Sequence, residues 1–382
     1  MGYSSLENTS FIHKNNHIYP YILILWLFMD IFMDMELYEK QISISPKILK
    51  LIAEIDEFKG SWLSLGQLAP DRLTSLKKIA TIESIASSTR IEGVKLSDKE
   101  VKAFLSGLDI NSFKSRDEEE VAGYAEVMNL IFDSYREMSL SENTIKQLHQ
   151  VLLKFSSKDV RHRGDYKKLN NHVEAFDSSG KSLGVVFQTA TPFETPLKME
   201  RLCQWLNKAI LETDEHPLLL ISKFILDFLA IHPFQDGNGR LSRALTTLLL
   251  LKSNYDYVPY SSMERVIEDN KDKYYLTLRG AQTESGDSSV LLVKWIEFFL
   301  DCLVTQKNVL SRKLEKEKTL LALPKLSEQI IVALKEHGKL SLSEIVKLTQ
   351  ANRNTLKVHL SKLVFEKQIQ KEGVGKGTVY YI

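Results

Sequence analysis

Two apolar runs that lie close together in the chain predict the centre of the fold. Residues 218–231 contain only three polar side chains, and residues 241–251 form a second, leucine-rich run after a short glycine-rich break. Apolar runs of this length are typical of buried helices. The pattern therefore predicts two buried helices joined by a turn, residues 232–240. Neither helix can hide that turn, so it is expected to line a pocket at the end of the helix pair.

Weaker periodicity on either side predicts further elements. Helices are predicted over residues 36–58, 71–89, 117–134, 141–155 and 197–211. The β-type run 184–189 follows a stretch rich in Asn, Ser and Gly, which predicts a β-hairpin. After a charged stretch that ends at Pro324, three short helical patterns and a hairpin with glycines at its tip follow. These are residues 327–337, 343–349, 354–366 and 369–382.

The patterns divide the chain into five parts. They are residues 1–34, a doubtful extension; 35–135, a helical region; 136–302, a core; 303–324, a linker; and 325–382, a small final domain. The first part has twelve apolar residues, Ile18–Met29, fewer than the roughly 20 that a spanning helix needs. It lacks the basic start and cleavage site of a signal peptide. We interpret it as an extension or a mis-assigned start, with a membrane anchor as the alternative.

Composition and charge restrict the class of protein. A net charge of +1 over 382 residues excludes an overall attraction to nucleic acid or membranes. The two cysteines, Cys203 and Cys302, lie far apart in helical pattern, so buried free thiols are expected instead of a disulfide or a metal site. We expect a cytoplasmic enzyme of two or three domains without membrane contact.

The predicted turn carries groups that suit a nucleotide phosphate. Gly237 and Gly239 allow a ligand to approach the backbone closely, and the free N–H groups at the start of the next helix attract an anion. Arg240 and Arg243 lie three residues apart on one side of that helix. Guanidinium groups bind phosphate oxygens as a fork, so the turn is predicted to be a phosphate site.

Two more side chains add a metal ligand and a base. Asp236 offers a carboxylate for Mg²⁺, which binds through few carboxylates plus substrate phosphates. His232 has an ordinary pKa of about 6.5, which suits proton abstraction at neutral pH. An EF-hand loop fails at Arg240, no Walker A sequence occurs, and a zinc site lacks further His or Cys ligands. A purely structural turn would not need these charged groups together.

The stretch from His232 to Arg243 resembles the signature of the Fic family, His-x-Phe-x-Asp/Glu-Gly-Asn-Gly-Arg-x-x-Arg, at every fixed position. The resemblance implies a mainly α, Fic-type helical bundle with a small β-hairpin flap. It also implies transfer of AMP from Mg-ATP to a protein hydroxyl. The implied roles are His232 as base, Asp236 as Mg²⁺ ligand, Gly237, Asn238 and Gly239 as anion hole, Arg240 and Arg243 on the phosphates, and Phe234 as apolar anchor. In the Doc branch, which phosphorylates its target, lysine replaces the second glycine, so Gly239 favours AMP transfer.

A second resemblance lies upstream, at Ser88, Glu92 and Gly93. Taken alone, Glu92 is an ordinary solvated glutamate near a helix end, and Gly93 suits the position after a helix. Many Fic proteins carry an inhibitory helix with the pattern Ser/Thr-x-x-x-Glu-Gly/Asn, which this stretch fits. The resemblance implies that Glu92 restrains the enzyme through Arg243, and that the same carboxylate could serve in the removal of AMP.

The resemblance also implies a target flap and an adenine wall. In Fic proteins a hairpin before the catalytic helices holds the target segment by strand addition, which points to Val185, Val186 and Phe187. A Tyr and a polar amide from the helix after the active loop commonly surround the adenine, which points to Tyr275 and Gln282. Two alternatives need neither target nor ligand. The hairpin could serve the fold alone, and the aromatic residues of the later helix could belong to the hydrophobic core.

The final domain, residues 325–382, has ten basic and five acidic side chains. Three helices and a hairpin resemble a winged helix-turn-helix (α+β) domain, so DNA binding is one hypothesis. A dimerisation or target-docking module stays equally open. For the whole chain, a protein adenylyltransferase, with self-modification included, competes with a transcriptional regulator that uses the fold as a nucleotide sensor. His232 favours the enzyme, because a sensor needs no base.

Overall fold

The computed structural model of the protein describes residues 38, 40, 42–64, 70–107, 113–171, 173–176, 182–187, 189–282, 288–321 and 324–382. The predictions made for residues 1–34 lie outside this part of the chain. The chain divides into two compact units, the first made of residues up to Ser64 with Thr74–Thr305 and the second of Leu65–Leu73 with Gln306–Ile382. Among the described residues, none of the helices combines the length and the apolar character needed to cross a membrane.

Helices build most of the first unit, as the sequence predicts. In chain order they are α1 Pro46–Ser64, α2 Pro70–Ile91, α3 Asp98–Ser106, α4 Arg116–Ser134, α5 Glu142–Leu152, α6 Thr195–Glu212, α7 Pro217–Ile231, α8 Asn238–Lys252, α9 Met263–Asp269, α10 Lys271–Gln282 and α11 Ser288–Leu321. Helices α2 and α11 contribute residues to both units. The prediction of a mainly α fold is confirmed.

Helices α7 and α8 form the buried centre of the first unit. Almost all of their residues are buried, and the rings of Phe224 and Phe228 have no exposed surface. Helix α7 begins at Pro217, whose fixed φ suits the first helical position, and His216 caps it through its ring Nδ1. Each large apolar side chain buried here contributes about 1.5–3 kcal/mol. The two buried helices therefore hold both ends of the turn between them in place.

Helix α8 begins before the leucine-rich run, with Arg240 in its first turn as predicted. The helix begins at Asn238, three residues earlier than the leucine-rich run suggests, because the polar first turn carries no apolar periodicity. Residues 238–240 therefore belong to the first helical turn, and the connection between the two helices is shortened to residues 232–237. The N–H groups of that first turn lie directly beside the glycine of the connection.

A glycine sets the distance between α4 and α5. A Cβ atom at Gly123 would lie 2.0 Å from the carbonyl oxygen of Leu152, so only glycine allows this contact between the two helices. Helix α4 also packs against α8. The close contact thus holds the N-terminal residues of α4 near the start of α8.

The predicted hairpin is present as β1 Val173–Phe176 and β2 Ser182–Phe187, which pair antiparallel. Val173 pairs with Phe187 and Phe176 with Ser182, with irregularities in the register between these two ends. The hairpin lies in sequence between α5 and α6, and β2 is adjacent to α10.

Helix α3 was not predicted from periodicity, although a local signal marks it. Ser97 Oγ accepts a hydrogen bond from the Glu100 N–H (3.4 Å), and Glu100 Oε2 accepts one from the Ser97 N–H (2.8 Å). This reciprocal pair is a capping box, which the Ser-x-x-Glu spacing indicates. The helix is short and only Val101 is buried, so its hydrophobic period is weak.

The second unit has three helices and a three-stranded antiparallel sheet. They are α12 Lys325–His337, β3 Leu340–Ser341, α13 Leu342–Thr349, α14 Arg353–Phe365, β4 Gln370–Glu372 and β5 Val379–Tyr381. The strand order is β3-β5-β4, and a 3-10 turn at Gly375–Gly377 lies between β4 and β5. Ile330, Ile345 and Leu356 lie at the centre of its core. The element order agrees with the prediction, and the winged-helix assignment stays a prediction. The charged stretch predicted as a linker is helical as far as Leu321.

Candidate active site

The connection between α7 and α8 contains two residues with left-handed backbone. His232 ends α7 with φ 53° and ψ 60°, and Gly237 precedes α8 with φ 81°. This conformation suits glycine but is unfavourable for other residues. A non-glycine residue held there stores on the order of 1–3 kcal/mol, which the surrounding structure must supply. Contacts with neighbouring residues must therefore hold the backbone of His232 in this left-handed conformation.

The ring of His232 is held as a neutral base. Its Nδ1 lies 3.3 Å from the carbonyl oxygen of Leu229, and because a carbonyl only accepts, Nδ1 donates the hydrogen. Nε2 is therefore the nitrogen with a free lone pair. Burial, and then the ammonium group of Lys167, lower the pKa of His232 to about 4. At neutral pH the imidazole is unprotonated and able to accept a proton.

The side chain of Asn238 shapes the turn. Its Oδ1 accepts from the Phe234 N–H at 2.9 Å, and its Nδ2 donates to the Phe234 carbonyl at 2.7 Å. Only the backbone N–H of Asn238 is thus left for the predicted anion hole. The N–H groups of residues 238–240 are those that a helix leaves without intrahelical partners. The N–H groups of the predicted phosphate cradle therefore lie in the first turn of α8.

Arg240 belongs to a group of alternating charges. Its guanidinium lies 3.3 Å from Asp236 Oδ1 and 2.9 Å from Glu120 Oε2, and the side chain is 2% exposed. Arg116 lies 2.7 Å from Glu120 and 2.9 Å from Asp236. Arg240 Nε is buried without a hydrogen-bond partner in the described part of the chain. Arg240 thus has a donor available for a ligand. The sequence did not reveal Glu120 and Arg116 as site residues, because nothing in the local sequence connects α4 with this turn.

Arg243 is held by the end of α2. Its Nε donates to Ser88 Oγ (2.8 Å), and its terminal Nη2 donates to the Ser88 carbonyl (2.9 Å) and to Glu92 Oε1 (2.7 Å). The Arg243 side chain is 4% exposed and that of Glu92 30%. Burial would raise the pKa of Glu92, but Arg243 and then Arg240 outweigh that effect and lower it. Glu92 is therefore ionised, and the structure brings both residues of the predicted inhibitory pair into direct contact with the predicted phosphate-binding arginine.

Glu92 also lies against the cradle itself. A Cβ atom placed on Gly239 would be 2.2 Å from Glu92 Oε1. The carboxylate therefore occupies the space above the first turn of α8 that the missing side chain leaves open. Gly93, with φ 107°, follows the end of α2 in a conformation that suits glycine, which lets the chain turn away directly after Glu92.

The residues around Asp236 fit a magnesium ion that arrives with phosphates. Asp236 has a partly exposed carboxylate, 35%, and no cluster of three or more His, Cys, Asp or Glu side chains suited to a metal occurs among the described residues. Mg²⁺ is commonly held by one or two carboxylates together with substrate phosphates and water. A single carboxylate beside a phosphate cradle matches that donor set. Asp236 Oδ1 also accepts from the Gly237 N–H (2.6 Å), which orients the group.

The predicted adenine wall lies on α10. Tyr275 is 39% exposed, whereas its neighbour Tyr274 is 5% exposed and packs on Trp295. Burial, followed by the charge of Glu92 at the end of α2, raises the pKa of Tyr275. Gln282 Nε2 is buried and has no hydrogen-bond partner within the described residues. Both predicted residues are on one helix, and Gln282 retains a free donor.

The predicted flap residues lie together on one strand. Val185, Val186 and Phe187 form the last part of β2, the strand that is adjacent to α10. An edge strand of a hairpin can accept a further strand by backbone hydrogen bonds. The structure thus offers the secondary structure that a target flap needs.

His149 is a site residue that the sequence did not reveal. Its ring stacks on Phe234 with centroids 3.8 Å apart. Its Nε2 donates to the Asp236 carbonyl (3.0 Å), and its Nδ1 accepts from the Gly164 N–H (2.9 Å). Burial lowers the pKa of His149 to about 4, so it is neutral and supports the turn without taking part as a charge. Phe234, predicted as an apolar anchor, has no exposed surface.

The part of the chain that contains this site is similar to known proteins. Residues 139–250 match the family described as Fic/DOC. A protein adenylyltransferase Fic from Drosophila erecta is 27% identical over 239 residues, which cover 62% of this chain and 43% of that protein. This chain therefore spans less than half the length of that curated relative.

Two solved structures share the fold. A Fic family protein from Desulfovibrio desulfuricans superposes with a TM-score of 0.57 at 24% identity, covering 90% of this chain and 98% of that chain. A Fic domain containing signaling protein from Bacteroides thetaiotaomicron superposes with a TM-score of 0.56 at 24% identity, covering 70% and 97%. At this level of identity, the similarity establishes the fold alone.

Proposed function

Since the chain is a Fic family protein, we propose that it transfers AMP from Mg-ATP to a hydroxyl side chain of a target protein. The observation that carries the proposal is the neutral ring of His232 beside the first turn of α8. A base with a free Nε2, a row of N–H groups and two buried arginines lie within one short stretch. This combination suits attack by a hydroxyl on a phosphate.

The residues of this chain would divide the reaction between them. His232 Nε2 accepts the proton of a Ser, Thr or Tyr hydroxyl as its oxygen forms a bond to the α-phosphorus of ATP. The bond from that phosphorus to the bridging oxygen breaks, and pyrophosphate leaves with the electron pair. The N–H groups of residues 238–240 and the guanidinium of Arg240 stabilise the charge that develops on the phosphate oxygens. A positioned base contributes about 10²–10⁴-fold.

Asp236 would hold the magnesium ion that accompanies ATP. When bound, Mg²⁺ neutralises phosphate charge and fixes the orientation of the phosphate chain. In the described state the carboxylate contacts Arg116 and Arg240. Binding of the ion therefore requires Asp236 to exchange an arginine contact for the cation.

Glu92 would keep the enzyme inactive in the arrangement described above. Its carboxylate occupies a donor of Arg243 and the space beside Gly239, where the γ-phosphate of ATP would need to lie. ATP could then bind only with its α-phosphate turned away from the hydroxyl. The same carboxylate could orient a water molecule for the removal of AMP, so transfer and removal are both proposed for this site.

The experiment that tests the proposal compares three forms of the full chain. Wild type, Glu92→Gly and Glu92→Gly with His232→Ala are incubated with labelled ATP, magnesium and cell extract, and labelled proteins are identified by mass. We expect strong AMP labelling of targets, and of the chain itself, only with Glu92→Gly. Labelling by γ-phosphate instead of the AMP moiety, or none with any form, would refute AMP transfer.

The second candidate function uses the C-terminal unit. In α14 the side chains of Arg353, Asn354, Lys357 and Lys362 are exposed, a mixture that suits phosphates and base edges. The chain would then bind duplex DNA and use the Fic fold as a nucleotide sensor. Binding to a labelled duplex should fall steeply with salt. A loss of binding in full-length Lys357→Ala with Lys362→Ala supports this candidate, and absence of binding at low salt favours dimerisation or target docking.

A further inference from the structure

Two residues upstream of the hairpin hold the backbone of the catalytic turn. Four consecutive carbonyl groups, those of residues 231–234, each accept a hydrogen bond from Lys167 or Asn171. The contacts are Lys167 Nζ to the carbonyl of residue 231 at 2.9 Å, Asn171 Nδ2 to 232 at 3.3 Å, Lys167 N to 233 at 2.8 Å, and Asn171 Nδ2 to 234 at 2.6 Å. This ladder begins at the last residue of α7 and includes the strained position of His232.

The same two residues tie the turn to the base of the hairpin. Lys167 Nζ also donates to Asn171 Oδ1 (2.8 Å) and to Thr189 Oγ1 (2.9 Å). Thr189 Oγ1 lies 3.1 Å from Asn171 Oδ1. Asn171 precedes β1 and Thr189 follows β2. One ammonium group therefore joins both ends of the hairpin to the end of α7.

Burial of a lysine at this position is unfavourable unless hydrogen bonds compensate for the lost solvation of its charge. Lys167 is 3% exposed, and burial of an ammonium group is expensive without compensating hydrogen bonds. Three oxygens supply them here, which uses the three donors of the group fully. Burial lowers the pKa of Lys167 to about 8, so the group is still mostly charged at neutral pH. The charge of Glu194 favours the ammonium form. The field of the ammonium also acts on the ring of His232.

We propose that Lys167, acting with Asn171 and Thr189, is the positioning residue that fixes His232 in its left-handed conformation and links the target-binding hairpin to the base. The inference rests on the proposed function, since it assigns a role in the transfer step. The ammonium group anchors the carbonyl before His232, and Asn171 anchors the carbonyl of His232 itself. A target strand bound to β2 is thereby connected to the base through Thr189.

After burial of the ring, Lys167 is the next contribution to the lowered pKa of the proposed base. The charged groups that face His232 are Lys167, Glu92 and Asp236, of which the lysine favours the neutral ring and the two carboxylates favour the protonated one. Removal of the ammonium leaves burial of the ring as the effect that opposes the two carboxylates, so the pKa of His232 should rise. Since only the neutral ring accepts a proton, the acid limb of the rate profile should move to higher pH.

The test uses full-length Glu92→Gly, in which transfer is measurable, as the parent. Lys167→Met removes the donors and the charge, Lys167→Arg keeps the charge, and Asn171→Ala removes the amide alone. Lys168→Met and Asn170→Ala change exposed neighbours and serve as matched controls. We expect Lys167→Met to lower kcat by about 10²-fold, the loss typical of a small misplacement of a reacting group, with KM for ATP unchanged. Lys167→Arg should restore part of the rate.

The pH profile separates positioning from a structural role. In the parent, kcat/KM should be level from about pH 5.5 to 7, because the pKa of His232 is lowered to about 4 and Lys167, with a pKa of about 8, is still mostly charged there. In Lys167→Met the acid limb should shift to higher pH, while burial keeps it below the ordinary histidine value of about 6.5, whereas the controls keep the parent profile. An unchanged limb and an unchanged kcat would overturn the inference.

Failure of the proposed function has a different signature, because the parent itself would then transfer no AMP. Circular dichroism melting shows whether each variant folds. If Lys167→Met does not fold, Asn171→Ala and Thr189→Val decide the matter, since both keep the buried lysine. A normal kcat in both would overturn the link between hairpin and base.

Discussion

Replacement of Glu92 by glycine should raise the rate of AMP transfer by one to two orders of magnitude. The substitution removes the 2.7 Å contact with Arg243 and empties the space against Gly239. It leaves the hydrogen bonds from Arg243 to Ser88 in place, so the arginine stays oriented and its freed donor can bind phosphate.

The magnitude follows from the contact that ATP must displace. A hydrogen bond to a charged group contributes about 1.5–3 kcal/mol, and each 1.36 kcal/mol corresponds to a tenfold change in rate. Release of this one contact therefore corresponds to an increase of about 10- to 150-fold. Misplacement of the reacting phosphate in the inhibited state gives a similar estimate, about 10²-fold. Both estimates concern a largely buried pair, for which solvent screening is weak.

The assay is the initial rate of AMP incorporation into the chain itself and into an identified target, at saturating Mg-ATP. Glu92→Gln is the graded control, because its amide keeps the size and a weaker hydrogen bond but not the charge. Its rate should lie between those of wild type and Glu92→Gly. A rate of Glu92→Gly equal to that of wild type, with Arg243 still able to bind ATP, would refute inhibition through this contact.

Three more predictions concern the base, the metal carboxylate and the supporting histidine. His232→Ala should abolish transfer, by about 10²–10⁴-fold, and leave Mg-ATP binding by calorimetry unchanged; a wild-type rate would exclude this residue as base. Arg116→Ala should tighten Mn²⁺ binding in the presence of ATP, measured by electron paramagnetic resonance, because Asp236 loses a competing cation; an unchanged Kd would contradict this. The pKa of His149 is lowered to about 4 in the folded protein. As the pH falls below about 6.5, this histidine is therefore protonated in the unfolded chain before it is protonated in the folded protein. Stability should therefore decline from pH 6.5 towards 4, by about 3 kcal/mol for this group, and less in His149→Gln; equal declines in urea unfolding would speak against it.

The turn could be predicted from the sequence because its chemistry is local. The residues from His232 to Arg243 lie between two apolar runs, and helical geometry fixes how Arg240 and Arg243 relate to each other. The hairpin and most helices follow from periodicity in the same way. The first residue of α8, Asn238, could not be fixed from periodicity, because a polar first turn has no apolar signal.

The residues that support the turn could not be found in this way. Glu120 reaches Arg240 across 120 positions, and Lys167 reaches the end of α7 across 64. Neither residue belongs to a motif, and both become visible only when the helices pack. A lysine followed four residues later by an asparagine is common in any sequence. Their roles depend on tertiary contacts, which periodicity does not contain.

The contact between Glu92 and Gly239 has a consequence for how this protein can change. The absence of a side chain at Gly239 opens the space for a phosphate, and the same absence admits the inhibiting carboxylate. A larger residue there would exclude inhibitor and substrate together. A single substitution at Glu92 can therefore remove the proposed inhibition, whereas a substitution at Gly239 cannot do so without loss of the substrate site. Constant activity would evolve through changes in the helix that carries the glutamate. On the proposed function, regulation by Glu92 can be removed without loss of activity, whereas the opening beside Gly239 cannot.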